Sequence, residues 1–210
     1  MNETIAGVVL AGGLSRRMGG GDKGLLDVAG RSMIGRVIER ITPQVQCVAI
    51  NANGQPSRFA SFELPVVCDP VEGFVGPLAG VLAGMRWAAD AAPNCTYIVT
   101  VSSDAPFLPE DLVSRLAAER SNNGPNAIIL AASNGQKHPV IGLWPIHLAD
   151  DLEAALNDGV RKVLQWTDRH GTFVVEFEPV EVGQRSIDPF FNANTPEELE
   201  EARGLLQAEY

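Results

Sequence analysis

Strand-like and helix-like segments alternate through roughly the first 130 residues, and few folds accommodate such a chain. Ile5–Leu10 (IAGVVL) is a short apolar run rich in β-branched residues, the pattern of a parallel strand buried on both faces. Ser32–Ile41 alternates apolar and charged residues at helical spacing, and Pro43 ends it. Val45–Asn51 and Val66–Cys68 predict two further strands. Gly76-Pro77 opens a helix running to about Ala91, with proline at the first position, where its missing N–H costs nothing. Gly80 and Gly84 fall on nearly one face of that helix and predict close packing. Thr96–Val101 and Ala127–Ala132 read as strands with the helix Pro109–Arg120 between them. The alternation predicts a three-layer α/β/α domain with a mostly parallel, Rossmann-like sheet. After Ser133 the order is less regular. A polar turn, Ser133–Pro139, leads into Val140–Trp144 as an antiparallel hairpin partner. Helices at Leu148–Leu156 and Lys162–Arg169, a strand at Thr172–Phe177 and an acidic helix at Thr195–Gln207 follow. No linker divides the chain, so the reading is a single domain, 1–210, with an antiparallel elaboration in its last third. Open sheets of this kind bind ligands at the carboxyl ends of their strands. Ala11–Gly24, Asn51 and Ser102–Asp104 all fall at such ends.

Composition narrows the function. With 210 residues, 45% of them hydrophobic, the chain can bury about 70–75% of its unfolded surface without staples. Its longest apolar stretches, such as Ala127–Ala132, fall far short of the ~18 residues of a membrane span. No basic region precedes the first apolar run at Met1-Asn2-Glu3-Thr4, so the expectation is a cytoplasmic protein without a cleaved signal peptide. Cys47, Cys68 and Cys95 are odd in number and widely spaced. They read as buried small hydrophobes in a reducing compartment rather than disulfides or a zinc site. A net charge of −10 disfavours nucleic acid as a partner. Yet residues 1–40 carry Arg16, Arg17, Lys23, Arg31, Arg36 and Arg40 against four acidic residues, a segment of +2 in which an anionic ligand is expected.

The segment Leu10–Leu26 reads LAGGLSRRMGGGDKGLL. Glycines let backbone N–H groups approach phosphate oxygens without a clashing side chain, and the interspersed cations neutralise charge. The P-loop pattern fails, because Lys23 is followed by Gly24 rather than a hydroxyl that would hold magnesium. Gly19, Gly21 and Gly24 meet the dinucleotide pattern literally, but they lie well past the strand end, and no ribose-binding acid follows at the right distance. A third possibility is a loop that wraps a triphosphate and reads a base through the backbone near Leu10–Gly13, set against the bland alternative of a glycine loop of no function.

On these residues the chain resembles the molybdenum cofactor guanylyltransferases, within the nucleotidyltransferases of glycosyltransferase-A-like fold. The matching motifs are LAGG-x-S-x-R-M-G-x-x-DK at Leu10–Lys23, INAN at Ile50–Asn53, the aspartate of VVCDP (Asp69), GPLAGVLAGM at Gly76–Met85, SSDAPFLP at Ser102–Pro109, KHPVIGLW at Lys137–Trp144 and FNANTPEEL at Phe191–Leu199. Gly12 stands where cytidylyltransferase relatives usually carry alanine. The resemblance implies transfer of GMP from GTP to the terminal phosphate of Mo-molybdopterin. The products are molybdopterin guanine dinucleotide and pyrophosphate. It implies a monomeric, cytoplasmic enzyme with Mg²⁺ as cofactor and no nucleic-acid or membrane partner, exchanging substrate and product with molybdopterin-delivering and molybdoenzyme-maturation proteins. By the same resemblance Arg17, Lys23 and Asp104 are catalytic, and Asp104 binds the metal. Leu10, Ala11, Gly12, Gly13, Lys23, Asn51, Asp69 and Asp104 bind the nucleotide, and Asn192 and Asn194 the acceptor. Residues 1–132 would then form the nucleotide part and 133–210 the acceptor part.

The residues themselves support parts of this picture. Asp104 follows a central strand, where a carboxylate faces the crevice, and magnesium needs few protein ligands. Asn192 and Asn194 flank Ala193, so in an extended segment both amides point the same way. Thr195 and Glu198 form a capping-box pair for the last helix. Other residues carry bland readings. The tryptophans Trp87, Trp144 and Trp166 read as packing, and no histidine pair has metal spacing. Arg161, Lys162 and Lys137 are open to phosphate or pterin contact, but side chains of this kind are more often simply solvated. The competing functions are transfer of CMP to molybdopterin, activation of a sugar phosphate, or a non-catalytic nucleotide-binding regulator. Gly12 and the DKGLL run at Asp22–Leu26 weigh against the first two, and Asp104 against the third.

Overall fold

Side chains of the first strand, β1 (Thr4–Leu10), divide between two cores. Ile5 and Val9 pack into one with Ile34, Val37 and Ile41 of helix α1 (Met33–Ile41), whereas Ala6 and Val8 pack into the other with Leu78, Leu82 and Met85 of helix α2 (Pro77–Ala91). A strand covered on both faces has no polar side to show, which is why the sequence there is continuously apolar. The computed structural model describes residues 4–12, 22–70, 76–193 and 195–207.

Two short strands, β2 (Asp27–Val28) and β3 (Arg31–Ser32), form a hairpin before α1. The main sheet continues with β4 (Val48–Asn51), β5 (Val66–Val67) and β6 (Cys95–Ser102). Helix α3 (Leu112–Asn123) precedes β7 (Ile128–Ser133) and β8 (Gln136–Pro145). Helices α4 (Ala149–Asn157) and α5 (Val163–Thr167) lead to β9 (Thr172–Glu176), the hairpin of β10 (Val180–Val182) and β11 (Arg185–Ile187), and helix α6 (Pro196–Gln207). The seven-stranded sheet has the order β5-β4-β1-β6-β8-β7-β9. β1 is parallel to β4 and β6, and β7 to β9. β8 is antiparallel to both its neighbours. Six strands therefore end at one edge. Helices α1 and α3 cover one face, and α2, α4 and α5 the other.

The expected α/β/α layering is present, and the antiparallel element of the last third lies inside the main sheet as β8. The polar turn is shorter than Ser133–Pro139. It is the pair Asn134-Gly135, with φ of 50° and 73°, the two left-handed positions of a tight hairpin turn. The strand runs back to Gln136 through polar Lys137 and His138. Pro139 has no N–H to give, and the register slips beside it: Ala131 faces His138 while Leu130 faces Gly142. The irregularity absorbs the proline.

Gly84 shows why α2 lies so close to the sheet. A Cβ there would stand 2.7 Å from Val8 Cγ2 and 3.1 Å from Ile98 Cδ1. The two hairpins were too short to read from alternation. They pack with α6 in a third core of Val28, Met33, Phe107, Val182, Ala193, Leu199 and Leu206. The capping box forms as expected. Thr195 N–H donates to Glu198 Oε2 at 3.0 Å, and Glu198 N–H to Thr195 Oγ1 at 3.2 Å. Trp144 and Trp166 are fully buried and stacked at 6.2 Å. The cysteines correct the expectation. All three are free, but only Cys95 is buried, while Cys47 is half-buried and Cys68 exposed. Burial pushes the Cys95 thiol up to about 11. Among the described residues no helix is long and apolar enough to cross a membrane.

Candidate active site at the carboxyl edge of the sheet

Three strands end level with one another. Leu10 pairs with Asn51 of β4 on one side and Ser102 of β6 on the other. The Leu10 carbonyl accepts from Ser103 N–H at 3.1 Å, and Ala11 N–H donates to the Asn51 carbonyl at 2.8 Å. These backbone groups hold the strand end together. Gly12, the next residue, is exposed, and its open side faces Asn51 Oδ1 at 3.8 Å from a notional Cβ.

Asn51 is 3% exposed. Its amide donates to the Val67 carbonyl at 3.2 Å and to Asp69 Oδ1 at 2.9 Å, which uses both hydrogens. The NH₂ group thus holds Asp69, and Oδ1 is left toward Gly12 and α2. Asn53 completes the arrangement: its amide donates to Asp69 Oδ2 at 2.7 Å, and Asp69 N–H donates to Asn53 Oδ1 at 2.9 Å. Asp69 is thereby fixed through both carboxylate oxygens. Gly80 makes the space, since a Cβ there would fall 2.3 Å from Asn51 Oδ1 and 2.9 Å from Leu10 Cδ2.

On the other flank, Lys23 Nζ donates to Asp104 Oδ2 at 2.8 Å. The two side chains are 13% and 18% exposed, so neither charge is fully solvated. Ser102 Oγ donates to Asp104 Oδ1. Gly24 lets this happen: a Cβ there would come within 3.2 Å of Ser103, so the backbone just after Lys23 lies against the Ser103 turn. The structure thus joins Lys23 to Asp104 and Asn51 to Asp69, on either side of the end of β1. Oxygen donors of Asp104's type suit a hard cation such as magnesium, which shares its shell with substrate phosphates.

Other expected site residues fall differently. Arg17, Gly13 and Asn194 lie outside the described residues. Asn192 is half-buried and follows Phe191, whose ring packs edge-on at 6.2 Å against Phe107, three residues past Asp104. Asp188 steers that segment, accepting from Phe190 N–H at 2.8 Å and from Ser133 Oγ at 2.8 Å and 2.9 Å. His138 Nε2 lies 2.7 Å from the same hydroxyl, and burial holds its imidazole below the usual range. This trio is not a hydrolase triad. The serine is buried and sits in the middle, and the recorded bonds of Asp188 go to Ser133, Asn134 and Phe190 rather than to the imidazole. The cations of β3 and α1 have partners of their own. Arg36 is buried on the carbonyls of Val28 and Ala29, Arg40 reaches the Leu108 carbonyl, and Arg31 pairs with Glu39. Arg161 donates to the carbonyls of Leu156 and Val160. Sequence reasoning placed Ser102 at the ligand edge and Gly80 in a close contact, but gave no separate role to Ser102 or Asn53 and did not see that Gly80 makes room for Asn51. Asn53 and Ser102 lie two positions from Asn51 and Asp104, the spacing that returns a side chain to the same side of an extended segment.

Comparison with known proteins identifies the family. Residues 7–172 fit the family model described as the MobA-like NTP transferase domain. The molybdenum cofactor guanylyltransferase of Rhodopseudomonas palustris (strain BisB5) is 54% identical over 199 residues, covering 94% of this chain and 92% of the relative. That of Mesorhizobium japonicum is 48% identical and covers 99% of both. Among solved structures, molybdopterin-guanine dinucleotide biosynthesis protein A from Archaeoglobus fulgidus superposes with a TM-score of 0.74 at 23% identity, over 96% of this chain and 98% of that one. A CMP:2-keto-3-deoxy-manno-octonic acid synthetase in complex with CTP shares the fold at a TM-score of 0.69 and 15% identity, over 99% of this chain and 100% of that one. The chain belongs to the MobA-like NTP transferase domain family, among the molybdenum cofactor guanylyltransferases.

Proposed function

We propose that the protein transfers GMP from GTP to the terminal phosphate of Mo-molybdopterin, releasing pyrophosphate and forming molybdopterin guanine dinucleotide. The observation that carries this reading is the Lys23–Asp104 pair beside the end of β1, in a chain 54% identical to a named guanylyltransferase. An acceptor phosphate is already ionised near neutral pH, so it attacks the α-phosphorus without a strong base. The protein's task is alignment and neutralisation of a highly negative transition state. Lys23, released from Asp104, takes charge on the triphosphate and the leaving pyrophosphate, with Arg17 assisting. Asp104, kept in place by Ser102, would hold Mg²⁺. When bound, that ion neutralises phosphate oxygens and orients them. Gly12 and Asn51 Oδ1 border the base, and Asp69 is set for the nucleoside. In this reading 1–132 serve the nucleotide, while 133–210 with Asn192 and Asn194 serve the acceptor, in one cytoplasmic, monomeric domain.

Calorimetric titration with GTP, CTP, ATP and UTP, with and without magnesium, tests the reading. Preferential, magnesium-strengthened GTP binding is the expected result, and CTP preference transfers the assignment to cytidylyl chemistry. For Lys23→Ala, kcat for pyrophosphate release should fall about 10²–10³-fold with the melting temperature little changed. A variant as fast as wild type removes the lysine from the mechanism.

A further inference from the structure

Arg58 has no part in the site as described so far. It lies in a 3-10 segment, Pro56–Phe62, between β4 and β5. Its Nε lies 2.6 Å from Asp22 Oδ2, and its Nη2 donates to the Asn53 carbonyl at 2.5 Å. The guanidinium carbon is 4.9 Å from the centroid of the Phe59 ring. Gly54, at φ +87°, lets it pack closely, since a Cβ there would stand 3.0 Å from Nη1. Asp22, the aromatic ring, a backbone carbonyl and Gly54 therefore fix the orientation of this side chain.

The partner is what gives the contact meaning. Asp22 immediately precedes Lys23. Asp22 is tied to the β4 side through Arg58, while Lys23 is tied to the β6 side through Asp104, and β1 lies between those strands. The dipeptide Asp22-Lys23 thus spans the end of β1 with an ion pair on each flank. A carboxylate beside a lysine that must receive polyphosphate is a liability. Left bare, it would repel the ligand and partly cancel the lysine. Arg58 removes that negative charge and sets the direction of the main chain at once. Beside this ion pair, its Nη2 hydrogen bond goes to the carbonyl of Asn53, the residue that fixes Asp69.

Resting on the nucleotide reading above, we infer that Arg58 is a positioning residue for the triphosphate. It neutralises and anchors Asp22 so that Lys23 meets the phosphates with its full charge. The test is a four-protein set: wild type, Arg58→Ala, Asp22→Asn and the double variant. GTP affinity is measured by calorimetry, and KM for GTP and for the acceptor by pyrophosphate release. Arg58→Ala should weaken GTP about tenfold and raise the KM for GTP, with the KM for the acceptor unmoved. Asp22→Asn should weaken it less than about threefold, and adding it to Arg58→Ala should restore most of the lost affinity. The Arg58→Ala defect should shrink as salt rises. A merely structural arginine would give a lower melting temperature that Asp22→Asn does not rescue. If Arg58→Ala folds poorly, Arg58→Lys keeps the charge opposite Asp22 without the guanidinium's hydrogen bond to the Asn53 carbonyl and should bind GTP within about threefold of wild type. Equal GTP affinity of wild type and Arg58→Ala, or a double variant as weak as Arg58→Ala, overturns the inference while the proposed function stands. A wild type that binds no nucleotide overturns both.

Discussion

Asp104→Asn should lower kcat for pyrophosphate release by about 10³-fold while the protein stays folded. The substitution keeps the shape and an oxygen that accepts from Lys23, but it removes the only charge of the side chain. In the structure that charge faces Lys23 at 2.8 Å and is oriented by Ser102. Stability should change by no more than about 1–2 kcal/mol, the scale of a weakened charged hydrogen bond. The measurement is an initial-rate assay with GTP and acceptor, beside a melting curve. A kcat within a few-fold of wild type would take Asp104 out of the chemistry and leave it as a turn residue before Pro106.

Gly80→Ala should damage fold and site together. The added methyl would lie 2.3 Å from Asn51 Oδ1 and 2.9 Å from Leu10 Cδ2. Asn51 has little freedom to withdraw, because its amide is bonded to Val67 and Asp69. Overpacking of this kind costs about 1–3 kcal/mol, and each sacrificed hydrogen bond about 1 kcal/mol more. GTP affinity should fall about a hundredfold, which corresponds to about 2.8 kcal/mol. Urea unfolding and calorimetry read the two effects separately. Gly204→Ala is the control, since nothing lies within 4 Å of a Cβ at that position of α6. Replacing a mid-helix glycine there should be neutral or stabilising by about 0.5–1 kcal/mol. Equal behaviour of the two variants would show that the contact of α2 with Asn51 yields readily.

The sequence made some of this legible and hid the rest for physical reasons. β1, β6 and α2 are continuous, strongly patterned segments, and their apolar character is local information. So is the placement of Asn51, Asp69 and Asp104 at or just after strand ends. β8 was foreshortened because Lys137, His138 and Pro139 look like a turn. Only the pairing of His138 with Ala131 shows that they belong to a strand. The hairpins β2–β3 and β10–β11 are too short for a period to appear, and they exist because α6 covers them. The orientation of the Asn51 amide is set by Val67 and Asp69, sixteen and eighteen positions away. Charge was the least readable property. The basic excess of residues 1–40 suggested a ligand surface, yet Arg36 and Arg40 end on backbone carbonyls, and Arg31 on a glutamate.

The third core has a consequence for how the molecule is made. The hairpin that follows Lys23 is braced by α6: Val28 packs against Leu199 and its neighbours, and Arg203 Nε donates to the Asp27 carbonyl across 176 positions at 2.9 Å. Contacts so distant in sequence close late, because the chain between them must first be ordered. During synthesis the lysine leaves the ribosome long before the helix that steadies its surroundings. The parallel strands can assemble around β1 while this corner waits. By this argument the corner around Lys23 is expected to order after the sheet, and a nascent chain that holds the sheet without α6 would lack the brace on that corner.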